Sequence, residues 1–263
     1  MSLRVAAIWR HPVKSMQGEA IERGDLGASG FPFDRRWGVV DLETGKVLSA
    51  KREGKLLMAA SRLAGTRLEV KLPDGDWTPA GGRGLDDELS AWLGRSVALK
   101  AATDVESAAY QMNVDATDDD SPIVDLPCPP GTFFDALPVH LLSTASLWAM
   151  QARHPGGAWE LRRFRPTVLI DDDSEDIDDS DDSDGDGFPE DAWIGSTVEV
   201  GGAQVTVVAP TVRCVMTTRA QPGLERDLDI VKAVNHDHQS NLGVYAVVGR
   251  SGPVAVGDPV KPS

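Results

Sequence analysis

The chain reads as mainly β, an α+β protein with a barrel-like body and a few added helices. Three observations carry this. Short apolar or alternating runs, bounded by turn residues, recur along the chain. Only four stretches show helical character. And 263 residues can bury a large core, as one domain or two closely joined ones. No internal repeat is visible.

The elements follow in order. "LRVAAIW" opens as a strand. "RRWGVVDLETGKVLSA" forms two short runs around "ETGK", a hairpin signal. "TRLEVKLPDG" is a strand ending in a turn. "LDDELSAWLG" has helical spacing, early acidic residues and Gly94 as its stop. "SVALKAA" returns to strand. Residues 103–135 are polar and Pro-rich and predict a long loop, with a domain boundary near its end. "VHLLS" is a strand running into the helix "STASLWAMQARH", with Ser143 or Thr144 as N-cap. "AWELRRF" predicts a short helix and "RPTVLI" a strand. "STVEVGGAQVTVVAP" predicts a hairpin around Gly201 and Gly202, ended by Pro210. A helix near "RDLDIVKAVNHD" and the strands "LGVYAVV" and "PVAVGDPV" close the chain.

Composition narrows the function. Mean hydropathy is −0.22, and no run approaches ~18 apolar residues, so a membrane span is not expected. The N-terminal run predicts a first strand and not a signal peptide. Two cysteines are too few for a disulfide framework, so a reducing, cytoplasmic setting is expected. The net charge is −15, which argues against nucleic acid and anionic membranes as partners. It fits either adaptation to high salt or one acidic insertion, "DDDSEDIDDSDDSDGDG" at 171–187. Like charges at that density predict a solvated, disordered loop. Asp182, Asp184, Asp186 and Gly187 match half of a calcium loop, but Trp193 stands where the bidentate Glu belongs. The "HDH" of 236–238 is far in sequence from either cysteine and reads as solvated side chains in a polar turn. Cys128, in "LPCPPG", reads as structural. Signatures of serine hydrolases, P-loop NTPases and dinucleotide folds are missing.

Three segments place cationic or hydroxyl groups beside strand ends. They are "HPVKSMQGE" with Lys14 and Ser15, "GFPFDRRWGVVD" with Asp34, Arg35 and Arg36, and "RRFRPTVLI" with Arg165. In so acidic a chain they are either ion pairs with local carboxylates or an anion site. "TVRCVMTT" adds Arg213 and the thiol of Cys214. A soft sulfur beside an anion pocket suits a metal carried by an anionic cofactor.

Together with "EDAWIGSTVEVGGAQVTVVAPTVRCVMTT" and the closing "LGVYAVV" and "GPVAVGDPV", these segments resemble MOSC proteins with an N-terminal MOSC β-barrel domain. That group is related to the mitochondrial amidoxime-reducing component and to the C-terminal domain of molybdenum cofactor sulfurase. The resemblance spans nearly the whole chain. It implies an N-terminal β-barrel domain over 1–132 and a MOSC β-barrel over 133–263 carrying the 171–187 insertion. It further implies a molybdenum–molybdopterin cofactor with Cys214 as metal ligand and catalytic residue. Lys14, Ser15, Arg35, Ser143, Ser146, Arg165 and Arg213 would contact the cofactor. Arg213 would lower the thiol pKa, and the helix starting near Ser143 would offer N–H groups to a phosphate. Thr167 stands where relatives carry Asn, and Val212 where they often carry a polar residue.

The implied reaction reduces small N-hydroxylated compounds. With no ferredoxin, flavin or haem motif in the chain, electrons would come from a separate ferredoxin, flavoprotein or cytochrome-type partner. One alternative is a cofactor or sulfur carrier without turnover. A pyridoxal-phosphate protein is disfavoured. It needs a Schiff-base lysine, and only Lys14 lies in a site-like segment. A third reading makes Cys214 a small buried hydrophobe of a non-enzymatic protein.

Overall fold

A computed structural model describes residues 2–115, 118, 120–172 and 187–263. The acidic insertion and its half calcium loop therefore lie almost wholly outside the described residues. Among the described residues the protein is mostly β, with four α-helices. No helix among them is long and apolar enough to cross a membrane.

A closed seven-stranded barrel dominates. Its order runs Val168–Asp172, Val139–Ser143, Asn241–Arg250, Ala203–Val212, Thr197–Val200, Pro259–Pro262 and Leu3–Arg10, which pairs back onto Val168–Asp172. Val139–Ser143 and Val168–Asp172 run parallel, and every other neighbour is antiparallel. Val5, Ile8, Leu141, Val205 and Val244 fill the interior with no exposed surface. β-Branched residues on alternate positions favour this pleated, half-buried setting. The first strand of the chain is thus a stave of the barrel whose other strands all come from residue 139 onward.

Residues 37–127, with Val13 and Met16, build further cores from small sheets, while Leu26 and Phe31 pack into the barrel core. Trp37–Asp41 pairs with Val97–Ala101, and Ala60–Ala64, Arg67–Lys71 and Trp77–Pro79 form a three-stranded meander. Helix Arg83–Leu93 buries Leu85, Leu89 and Leu93 against them and ends on Gly94 at φ 71°. That left-handed cap is what glycine accommodates without strain.

Four expectations need correction. The "long loop" of 103–135 contains an antiparallel hairpin, Ala109–Asn113 with Ile123–Pro127. The barrel strand does not stop at Pro210 but continues to Val212. The ladder is irregular on either side of Pro210, so its missing N–H is tolerated there. "ETGK" closes only a minimal hairpin, with one bridge between Val40 and Val47. The "HDH" residues end helix Asp229–His238 instead of forming a turn. There His238 stacks on Phe188 at 3.7 Å and hydrogen-bonds Asp191 at 2.7 Å. Helix Thr144–Arg153 does start on Ser143, whose hydroxyl accepts the Ser146 N–H.

Candidate functional site

Where the barrel meets the small sheets, a cavity gathers residues from distant parts of the chain. Lys14, Ser15, Arg35, Arg165 and Arg213 all line it. Four basic residues line this space against one acidic residue, Asp135. In a chain of net charge −15 that inversion makes the cavity locally cationic, a setting that favours anions.

Local backbone geometry turns these side chains inward. Ser15, Arg35 and Arg165 adopt φ values of 69°, 48° and 53°. Non-glycine residues rarely hold the left-handed region, and such strain gathers at functional sites. Each is pinned. Ser15 Oγ accepts the Ala50 N–H at 2.9 Å, and the Arg35 N–H donates to the His11 carbonyl at 2.8 Å. Arg165 Nη1 donates to the Met16 carbonyl at 2.7 Å. Arg35 also pairs with Asp34, a buried carboxylate that accepts the His11 N–H at 2.7 Å. Burial pushes the Asp34 carboxyl up, and Arg35 opposes it.

One wall is an ion cluster. Asp135 bridges the ammonium groups of Lys14 and Lys51, the latter at 3.1 Å. Both ammoniums lie over the Tyr110 ring, 4.3 and 4.6 Å from its centroid. Burial raises the Asp135 carboxyl, but the two lysines outweigh it and hold it well below the usual carboxylate range. For Lys51, burial is outweighed by Asp135, and its ammonium is held above the usual lysine range. Lys14 is pulled down by burial, which Asp135 only partly offsets. Burial, then the Asp135 charge, push the Tyr110 phenol up to about 12.

Cys214 is half-buried and sits between two lining residues, Arg213 and Met216, without lining the cavity itself. Its thiol lies within electrostatic reach of Lys51, Arg213 and Tyr245. The Arg213 guanidinium turns to Phe164, donating to its carbonyl at 2.8 Å and lying over its ring. Arg213 Nε has no hydrogen-bond partner although it is buried.

Ser143 and Ser146 do not join this set. Their hydroxyls donate to the fully buried Glu190 carboxylate at 2.6 and 2.7 Å, and the Ser143 N–H reaches it at 3.2 Å. Glu190 thus takes the place expected for a phosphate at this helix start. A carboxylate there satisfies the first-turn donors and the helix dipole equally well. Sequence reasoning missed Lys51, Asp135, His140 and Tyr245. His140 and Tyr245 stand in strands read only for their apolar pattern, Lys51 lies just past the "VLSA" run, and Asp135 falls in the stretch expected to be loop.

The fold and the cavity together define a β-barrel protein with a cationic cavity near a half-buried thiol. The chain belongs to the MOSC family: residues 2–112 match the MOSC N-terminal beta barrel domain, and residues 130–261 match the MOSC domain. MOSC domains are found in proteins that bind the molybdenum cofactor. No curated protein matches. Among solved structures, the YuaD protein from Bacillus subtilis is similar at 11% identity, with 100% of this chain and 96% of that one covered and a TM-score of 0.49. YiiM from Geobacillus stearothermophilus is similar at 17% identity over 48% of this chain and 54% of its own, with a TM-score of 0.35.

Proposed function

We propose that this protein binds the molybdenum–molybdopterin cofactor and reduces small N-hydroxylated compounds with electrons from a separate donor protein. The observation that carries the reading is the cavity lined by four basic residues and one acidic residue, with half-buried Cys214 between its lining residues Arg213 and Met216 in the chain. The donor set fits the group. Lys14, Arg35, Arg165 and Arg213 line one cavity and suit a phosphate. Cys214 would hold the metal as a thiolate. When bound, the cofactor supplies two-electron oxygen-atom removal.

The chain's own residues do the rest. Lys14 and Lys51 keep positive charge over the Tyr110 face, with Asp135 fixing both ammoniums. Arg35 and Arg165 are anchored by Asp34 and the Met16 carbonyl, so they present charge without reorganising. The aromatic walls, Phe133, Phe134 and Phe164, limit water in the cavity. A carrier without turnover would share every binding feature. The pyridoxal-phosphate alternative is weakened because Lys14 and Lys51 share one carboxylate as a charged pair.

The test is molybdenum content by mass spectrometry on protein from a host that makes molybdopterin, with Cys214→Ala in parallel. We expect near one metal per chain, falling sharply in the variant. Metal-loaded protein is then assayed with reduced viologen and N-hydroxybenzamidine. No molybdenum in either protein sinks the cofactor reading. Molybdenum without turnover leaves the carrier.

A further inference from the structure

Arg163 does not line the cavity, yet it is a cation with only 1% of its surface exposed. Its guanidinium is taken up by main-chain carbonyls. Nε donates to Ala158 at 3.0 Å, Nη1 to Thr217 at 3.0 Å and to Arg219 at 3.2 Å, and Nη2 to Glu225 at 2.7 Å. Burying a guanidinium is costly unless its N–H groups are met, and here carbonyl oxygens meet them. The planar fork reaches acceptors in separate stretches of chain at once, which a lysine ammonium on its flexible stem does not.

Three of these carbonyls belong to the stretch that follows Cys214. Cys214 opens the short helical turn Val215–Thr218. Its carbonyl accepts both the N–H and the hydroxyl of Thr217, each at 3.0 Å. Thr217 gives its own carbonyl to Arg163. The Thr218 hydroxyl donates to the Val215 carbonyl at 2.7 Å, which tightens the same turn. The chain before the cysteine is tied to the same place. Arg213 Nη2 donates to the carbonyl of Phe164, the residue after Arg163. Two adjacent residues therefore hold the chain on both sides of Cys214, Phe164 before it and Arg163 after it. The next residue, Arg165, lines the cavity and donates to the Met16 carbonyl. One short segment thus sets the thiol in register with the cavity's cations.

We infer that Arg163 is a positioning residue, its guanidinium clamping the turn after Cys214 and so fixing where the thiol stands. It touches neither cofactor nor substrate. What the thiol is positioned for rests on the reading of Cys214 as metal ligand. Groups behind a metal ligand set its orientation and, through it, the affinity for the metal.

The experiment compares wild type, Arg163→Lys, Arg163→Met and, as a variant strained elsewhere, Gly94→Ala. All carry Cys128→Ser, which leaves Cys214 as the one thiol of a chain with two cysteines. Metal-free full-length protein is alkylated with iodoacetamide, and the rate at Cys214 is followed by mass spectrometry. Losing hydrogen bonds from a charged group frees the turn, so the rate should rise roughly tenfold in Arg163→Met. It should rise less in Arg163→Lys, where the charge is kept and only the fork is lost, and stay at the wild-type value in Gly94→Ala. In protein from a host that makes molybdopterin, molybdenum per chain should fall in Arg163→Met and recover in part in Arg163→Lys. An unchanged alkylation rate in Arg163→Met overturns the inference. So does an equal rise in Gly94→Ala, which would make general loosening the cause. If wild type carries no molybdenum, the cofactor reading fails by itself, and the alkylation rates still decide on Arg163. If Arg163→Met does not fold, the rate in Arg163→Lys decides in its place.

Discussion

Replacing Asp135 with Ala isolates the ion cluster that frames the cavity. The change leaves Lys14 and Lys51, 4% and 7% exposed, without their shared carboxylate. Lys14 keeps only the Phe133 carbonyl at 2.8 Å and the Tyr110 face. Breaking a fully buried pair costs about 3–5 kcal/mol. The Asp135 side chain is 32% exposed, so solvent softens the loss, to about 2–3 kcal/mol. For a chain of this size that lowers Tm by about 5–10 °C. Calorimetry at pH 7 measures it. The pH dependence gives a second check. A carboxyl held below its unfolded value stabilises fully above that value and loses the contribution as pH falls toward the native one. The gap between wild type and variant should therefore be constant above about pH 5 and narrow below about pH 4. A Tm change under 2 °C, or a gap that persists unchanged to about pH 3, would refute the cluster's role.

Other consequences are as direct. Ser146→Ala removes one donor from buried Glu190 and should cost about 1–2 kcal/mol. Its molybdenum content should stay at the wild-type level, and a fall would return Ser146 to the cofactor site. Gly243→Ala drives a Cβ to 2.7 Å from the Leu141 carbonyl and onto His140. It should cost more than about 2 kcal/mol, read by denaturant unfolding. Gly94→Ala keeps open space around the new methyl but strains φ at 71°, so about 1 kcal/mol is expected by thermal melt.

What the sequence discloses is local. The glycine stop at Gly94, the turn at Gly201 and Gly202 and the Ser143 cap each follow from a few adjacent residues, and each stands. The basic segments could be singled out because their charge is out of place in an acidic chain. What stays hidden is their pairing. Lys14 meets Asp135 across 121 positions, and Ser143 meets Glu190 across 47. Nothing at Ser143 signals that a carboxylate elsewhere will claim its hydroxyl. His140 sits in a strand that is buried along its whole length, so hydropathy alone gave its polar ring no distinction. The hairpin of 109–127 was masked by its acidic and proline-rich flanks, which mimic loop composition.

The first strand closes a barrel whose remaining staves are made last, and this sets an order of assembly. On the ribosome, Leu3–Arg10 emerges before the other staves and must wait for its two barrel neighbours, Val168–Asp172 and Pro259–Pro262. Closure is then a late event with a large loop-entropy barrier. A fragment spanning only the MOSC match at 130–261 would present two open strand edges, a template for aggregation. The same geometry makes the N-terminal segment a candidate for complementation: a peptide of residues 2–12 added in trans should rescue the solubility of that fragment.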